Sequence, residues 1–142
     1  MLVPRAGKPG NTDLCTSKGY NFTSLQDISP FLEPAGSGIT SLWARTAALK
    51  YDCHVVVGYP EKVDVSGKWP TGPEYYNTAI IVDGEGQTVA NVRKSFLYMI
   101  DESWALESKD GFFHDDIPGL GSTVVGICTV SYRSNSCVLA RD

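Results

Sequence analysis

Apolar and polar positions along the chain follow two periods. Ile39, Leu42, Trp43 and Ala47 recur at steps of three and four, with Arg45 and Lys50 left for solvent, which is the spacing of a helix over residues 39–51. Ser37 is a candidate cap, and the face carrying Trp43 is the one expected to pack on a flat partner. That partner follows at once. His54-Val55-Val56-Val57-Gly58-Tyr59 is too continuously apolar for a half-wet strand and reads as a buried strand ended by Pro60. Pro70, Gly72 and Pro73 break the polar connection after it. Two strand-like runs, 76–82 and 88–92, then flank Asp83-Gly84-Glu85-Gly86, whose glycines suit the positive φ angles of a tight turn, so a β-hairpin is predicted. Residues 94–116 are polar and aromatic without a clear period. A turn over 117–121 and a last buried strand over 123–128 complete the pattern.

The two ends carry no such pattern. Residues 1–18 are rich in Gly, Pro, Lys, Thr and Ser and are expected to form a loosely ordered arm. Beyond Cys128 the residues Ser131, Tyr132, Arg133, Ser134, Asn135 and Ser136 show neither strand alternation nor helix period. Helix, buried strand, hairpin, buried strand is an α/β order. Two strands buried on both faces need more cover than this chain supplies, so self-association through an exposed sheet, or membership of a larger fold, is expected.

Charge narrows the function classes. With 12 Lys+Arg, 16 Asp+Glu and a net charge of −4 over 142 residues, the chain fits one ordinary domain at most. Its basic residues are scattered, which gives no footprint for a nucleic acid. No apolar run approaches the roughly 18 to 20 residues of a bilayer span, and the first residues lack the apolar core of a secretory leader, so a cytoplasmic protein without a membrane partner is expected. Cys15, Cys53, Cys128 and Cys137 are irregularly spaced, and in a reducing compartment free thiols are the default over a small disulfide-bonded fold. Asn21-Phe22-Thr23 matches a glycosylation acceptor but is idle without a leader. His54 beside Cys53 is not a metal pair, since neighbours on a strand point to opposite faces; a packed histidine is expected. Trp43, Trp69 and Trp104 make no stacking surface, and Trp43 reads as helix-face core.

Three residues remain as candidate chemistry. Cys128 sits where an apolar strand gives way to a polar segment, the place where open α/β sheets carry reactive groups. Lys94 follows the second hairpin strand beside Arg93, and Glu102 lies in an acidic pair with Asp101. Taken alone they read as a buried thiol, a solvated hairpin end and a surface carboxylate. Together with their neighbours they carry a resemblance. Gly19-Tyr20-Asn21-Phe22, the helix followed by Val55-Val56-Val57-Gly58-Tyr59-Pro60-Glu61, and Tyr76-Asn77-Thr78-Ala79 with the Asp83-Gly84 turn come first. Arg93-Lys94-Ser95-Phe96-Leu97-Tyr98 and Gly126-Ile127-Cys128 follow. In that order they resemble the landmarks of the carbon–nitrogen hydrolase (nitrilase) superfamily. Within it, the Gly-Tyr-Asn-Phe and Lys-Ser-Phe-Leu-Tyr segments and Asp101-Glu102-Ser103-Trp104 are most similar to fungal protein N-terminal asparagine amidohydrolases.

The resemblance implies a four-layer αββα sandwich, of which this chain would be an incomplete N-terminal half. It would comprise a divergent arm over 1–18, a partial hydrolase domain over 19–128 and a divergent tail over 129–142. It also implies a Glu-Lys-Cys set that cleaves a non-peptide C–N bond without cofactor or metal. Carried over position by position, Cys128 is the nucleophile, Lys94 activates the thiolate and stabilises the oxyanion, and Glu102 is a supporting carboxylate. The implied substrates are protein or peptide amino termini bearing Asn or Gln, deamidated with release of ammonia on a route to degradation. These residue types suit that chemistry: a thiolate attacks an amide carbon well, and a neighbouring ammonium favours both the thiolate and the oxyanion. The primary base departs from the pattern. The family places a Glu five residues ahead of the Gly-Tyr pair, where this chain has Leu14; Asp13 is shorter and one position away. The alternative expectation is therefore a truncated, catalytically inactive remnant that acts at most as a binding partner.

Overall fold

Side by side with these expectations, the computed structural model describes residues 2–4, 22–64, 72–127 and 137–140, the first and last of these as backbone. The expectations on Asp13, Leu14, Cys15, Asn21, Trp69, Pro70 and Cys128 lie outside the described residues. A short helix α1 (Leu25–Ile28), capped by the Ser24 hydroxyl, precedes the main helix α2 (Ile39–Tyr51), whose bounds are those predicted. Its N-terminus is held differently. Gly38, not Ser37, is the N-cap residue, and the Glu33 carboxylate accepts from the Thr40 N–H at 2.9 Å and the Thr40 hydroxyl at 2.8 Å. An anion there satisfies an otherwise unpaired amide and complements the helix dipole.

The buried face of α2 corrects the sequence reading. Ser41, Ala44, Ala47 and Ala48 pack inward, while Ile39 is 82% and Trp43 46% exposed, and Leu42 and Leu49 are also exposed. Both stripes have helical period, so the pattern cannot choose between them. The sheet chooses: Val55, Tyr59, Ile80 and Val82 already fill the space beneath the helix, and only small side chains let it approach.

Strand β2 (Cys53–Val63) runs through Pro60 instead of ending there. The Pro60 carbonyl accepts from Glu33 N–H at 2.9 Å, so its backbone faces away from the neighbouring strand β3 (Glu74–Val82), and the missing proline N–H removes no bond from that ladder. β3 and β4 (Thr88–Arg93) form the predicted hairpin. In its turn Asp83 Oδ1 accepts from Glu85 N–H and Gln87 N–H, and Gly86 takes φ 77°. With β1 (Leu2–Pro4) on β2, this antiparallel sheet has the order β1-β2-β3-β4. The arm expected to be loose thus contributes an edge strand.

Residues 94–116 contain a 3-10 turn at Asp101–Ser103 and lead into β5 (Phe113–Ile117). That strand gives no alternation because His114, Asp115 and Asp116 are polar and exposed in succession. β5 pairs with β6 (Gly121–Gly126) around the predicted turn, and β6 pairs with β7 (Cys137–Ala140), a strand from the tail that shows no pattern in sequence. Two cores result. One lies between α2 and the first sheet; the other joins Val56, Ala79, Ile81 and Val92 of the first sheet to Ile117, Val125 and Ile127 of the second. The layering is α, β, β. β2 is largely buried as its apolar run predicts, and β3 is buried beside it, whereas β6, also expected to be a buried strand, has only alternate residues buried because its other face is not fully covered.

Candidate active site

Strand alternation sends successive residues of the hairpin to opposite faces of the sheet. Ala79, Ile81 and Val92 face the second sheet, and Asn77 and Lys94 continue that face to the sheet's end. The Lys94 N–H donates to the Asn77 carbonyl at 2.8 Å, which adds one pair to the ladder beyond β4, and the Lys94 carbonyl accepts from Ser108 N–H at 3.0 Å. Lys94 is only 4% exposed, so it is not a solvated hairpin end. Its Nζ donates to Asp101 Oδ2 at 2.5 Å.

Asp101 is itself 5% exposed and well anchored. Asn77 Nδ2 donates to its Oδ1 at 3.2 Å and Tyr98 N–H to its Oδ2 at 3.3 Å. The Asp101 carbonyl accepts from Trp104 N–H and Ala105 N–H, which closes the 3-10 turn over a small core of Ile28, Trp104 and Ala105. Asn77 Oδ1 is buried without a partner among the described residues. Glu102 is exposed, and the carboxylate that meets Lys94 is that of its neighbour Asp101. Cys128 lies outside the described residues. Ile127, which precedes it, is buried in the same inter-sheet core as Val92, two residues ahead of Lys94.

On the opposite face, beyond the end of α2, a second polar cluster fills the sheet. The fully buried Glu61 accepts from Thr78 Oγ1 at 2.8 Å, Asn91 Nδ2 at 3.3 Å, and Arg93 Nε and Nη2 at 2.9 and 2.6 Å. Burial pushes the Glu61 carboxyl up, but the bonds from Arg93 and Thr78, the Arg93 charge and the Asn91 bond outweigh it and hold it below the usual range. The bonds to Glu61 in turn raise Arg93, which lies 4.1 Å from the Tyr76 ring centre. Tyr59 donates to Asn91 Oδ1 at 2.7 Å, and burial together with the Glu61 charge pushes its phenol up. Glu61 shares its face with Tyr59 and the α2 core, so the sheet separates it from Lys94.

The remaining candidates resolve simply. Cys53 is a buried free thiol, pushed up by burial and by Asp52. His54 Nε2 donates to the Pro118 carbonyl at 3.0 Å, tying the first sheet to the β5–β6 turn. Among the described residues no group of His, Cys, Asp and Glu is placed to hold a metal, and no helix is long and apolar enough to cross a membrane. Sequence reasoning missed Asp101, although it named the acidic pair, and missed Asn77. The available signal was the register: Asn77 is two residues before Ala79 on the same strand face, and Lys94 two after Val92.

The family description carbon-nitrogen hydrolase matches residues 15–137, and the chain belongs to that family. Over 118 residues it is 30% identical to the protein N-terminal amidase of Schizosaccharomyces pombe, and over 95 residues 32% identical to that of Saccharomyces cerevisiae. These matches cover 82% and 66% of this chain but 40% and 19% of the relatives, so the chain spans well under half of their length. A crystal structure of N-terminal amidase with an Asn-Glu-Ala peptide superposes with a TM-score of 0.60 at 27% identity, covering 85% of this chain and 26% of that one. Another holds a Gln-Val peptide, with a TM-score of 0.60. The α, β, β layers are thus part of the nitrilase-type fold.

Proposed function

We propose that the chain carries the lysine and cysteine of an N-terminal amidase site, which hydrolyses the side-chain amide of Asn or Gln at a peptide's amino terminus. The observation that supports this most is the buried Lys94 at the end of the inter-sheet face, held by Asp101, in a chain of the carbon-nitrogen hydrolase family. Val92 and Ile127 share one core, and Lys94 and Cys128 follow them by two residues and one.

In this reading the Cys128 thiolate adds to the amide carbon, and the C=O electrons move to oxygen, where the Lys94 ammonium meets the developing charge. The C–N bond breaks as the nitrogen takes up a proton and leaves as ammonia. Water then adds to the thioester, the C–S bond breaks, and the product is a carboxylate with the thiol regenerated. Glu102 keeps its supporting role from the resemblance alone. The peptides named in the related crystal structures begin with Asn and Gln, which supports that substrate class. Leu14 at the expected position of the primary base makes turnover slow.

The test is site-resolved alkylation of the intact chain near neutral pH. Cys128 should react about tenfold faster than Cys53, the Asn-Glu-Ala peptide should protect it, and Lys94→Ala should remove the preference. Equal labelling of both thiols in folded protein, or no effect of Lys94→Ala, contradicts the pairing.

A further inference from the structure

We propose that Asp101 is the positioning residue for Lys94 and that Asn77 fixes Asp101 in turn. The inference rests on the reading of Lys94 as the lysine of an amide-hydrolysing centre and names what makes that lysine usable. A lysine on a four-carbon stem occupies many rotamers, whereas an oxyanion needs its cation in place before charge develops. The buried Lys94 is not free to wander: its ammonium is tied to Asp101 Oδ2 at 2.5 Å. A buried charge persists only when paired, and here both partners are withdrawn from solvent, so each holds the other's charge.

Asp101 is immobilised from two sides. Asn77, on the central strand β3, donates to one carboxylate oxygen, and Tyr98 N–H donates to the other, while the Asp101 carbonyl anchors the 3-10 turn. The tether uses one of the three ammonium protons and leaves two for a substrate oxygen or a thiolate. The exposed Glu102 does not share this duty, because its neighbour already occupies the position against Nζ. Asp101 therefore acts through Lys94 and not on the substrate.

The experiment is the pH profile of Cys128 alkylation by iodoacetamide in the 142-residue chain, resolved by site, for wild type, Lys94→Ala, Asp101→Asn and Asp101→Glu, with a thermal melt of each. Asp101→Asn is expected to slow Cys128 at pH 7 by about tenfold and to move its profile up by about one unit, as Lys94→Ala does. Asp101→Glu, which keeps the charge, should recover part of the rate. A purely structural role would lower the melt and open Cys53 to the reagent without moving the Cys128 profile, and that result overturns the proposal. So does a wild-type profile in Asp101→Asn when Lys94→Ala is shifted, in which case the lysine reading stands and Asp101 alone falls. An unshifted profile in Lys94→Ala removes the lysine reading and the proposal with it. Should Asp101→Asn fail to fold, Asp101→Glu decides: partial slowing supports the positioning role, and wild-type behaviour refutes it.

Discussion

Leu14→Glu should raise ammonia release from a peptide beginning with Asn by about 100- to 10,000-fold over wild type, the range typical of a positioned general base. In the proposed mechanism Cys128 needs a carboxylate to take its proton, hand it to the leaving nitrogen and later draw a proton from water. Two buried carboxylates are committed elsewhere. Asp101 is bonded to Lys94, and Glu61 lies across the sheet and is bonded to Arg93. Position 14 is where the family resemblance puts the base, five residues ahead of Gly19, and Leu14 has no proton-accepting group. Leu14→Gln, close in size and unable to act as a base, is the control. A Leu14→Glu chain no faster than Leu14→Gln would show that another carboxylate already serves, with Glu102 and Asp13 the first to replace.

Glu61→Ala should destabilise the fold by about 3 kcal/mol, the lower end of the cost of breaking a buried ion pair, because Arg93 keeps 31% of its side chain in solvent. For a domain of this size that lowers the melting temperature by about 10 °C. Its pH dependence follows from the direction of the shift. The folded state holds the Glu61 carboxyl below its ordinary value of 4.5, so the stabilisation is complete above that value and is lost as pH falls through the lower, folded-state value. Below about pH 4 the wild type should therefore lose stability faster than Glu61→Gln, which has no proton to gain. Parallel melting curves for the two proteins across that range would refute the assignment.

Those expectations draw on different levels of legibility. The hairpin was readable because strand period and turn chemistry agree around Asp83-Gly84-Glu85-Gly86, and α2 because its period is helical over its whole length. The inward face of α2 was not, since apolar size along one helix says nothing about how much room the opposing Tyr59 and Ile80 leave. Strand β5 was hidden because His114, Asp115 and Asp116 are polar and exposed in succession on a short edge strand, which erases the alternation. At the site, Lys94 was legible through its family context and its position after β4, whereas its burial was not. Burial depends on Asp101, seven residues later in a segment without period, folding back on a 3-10 turn to supply the counter-charge. The acidic pair with Glu102 was visible in sequence, whereas the contact of Asp101 with Nζ was not.

The most direct measurement is ammonia released from the Asn-Glu-Ala peptide by concentrated wild-type chain, set against Cys128→Ala and against the Asp-Glu-Ala peptide. The account predicts slow release by the wild type that disappears in Cys128→Ala and with the peptide lacking the amide. Release that persists in Cys128→Ala, or none from the wild type under conditions where Leu14→Glu is also silent, would contradict an amide-hydrolysing centre built on Lys94 and Cys128.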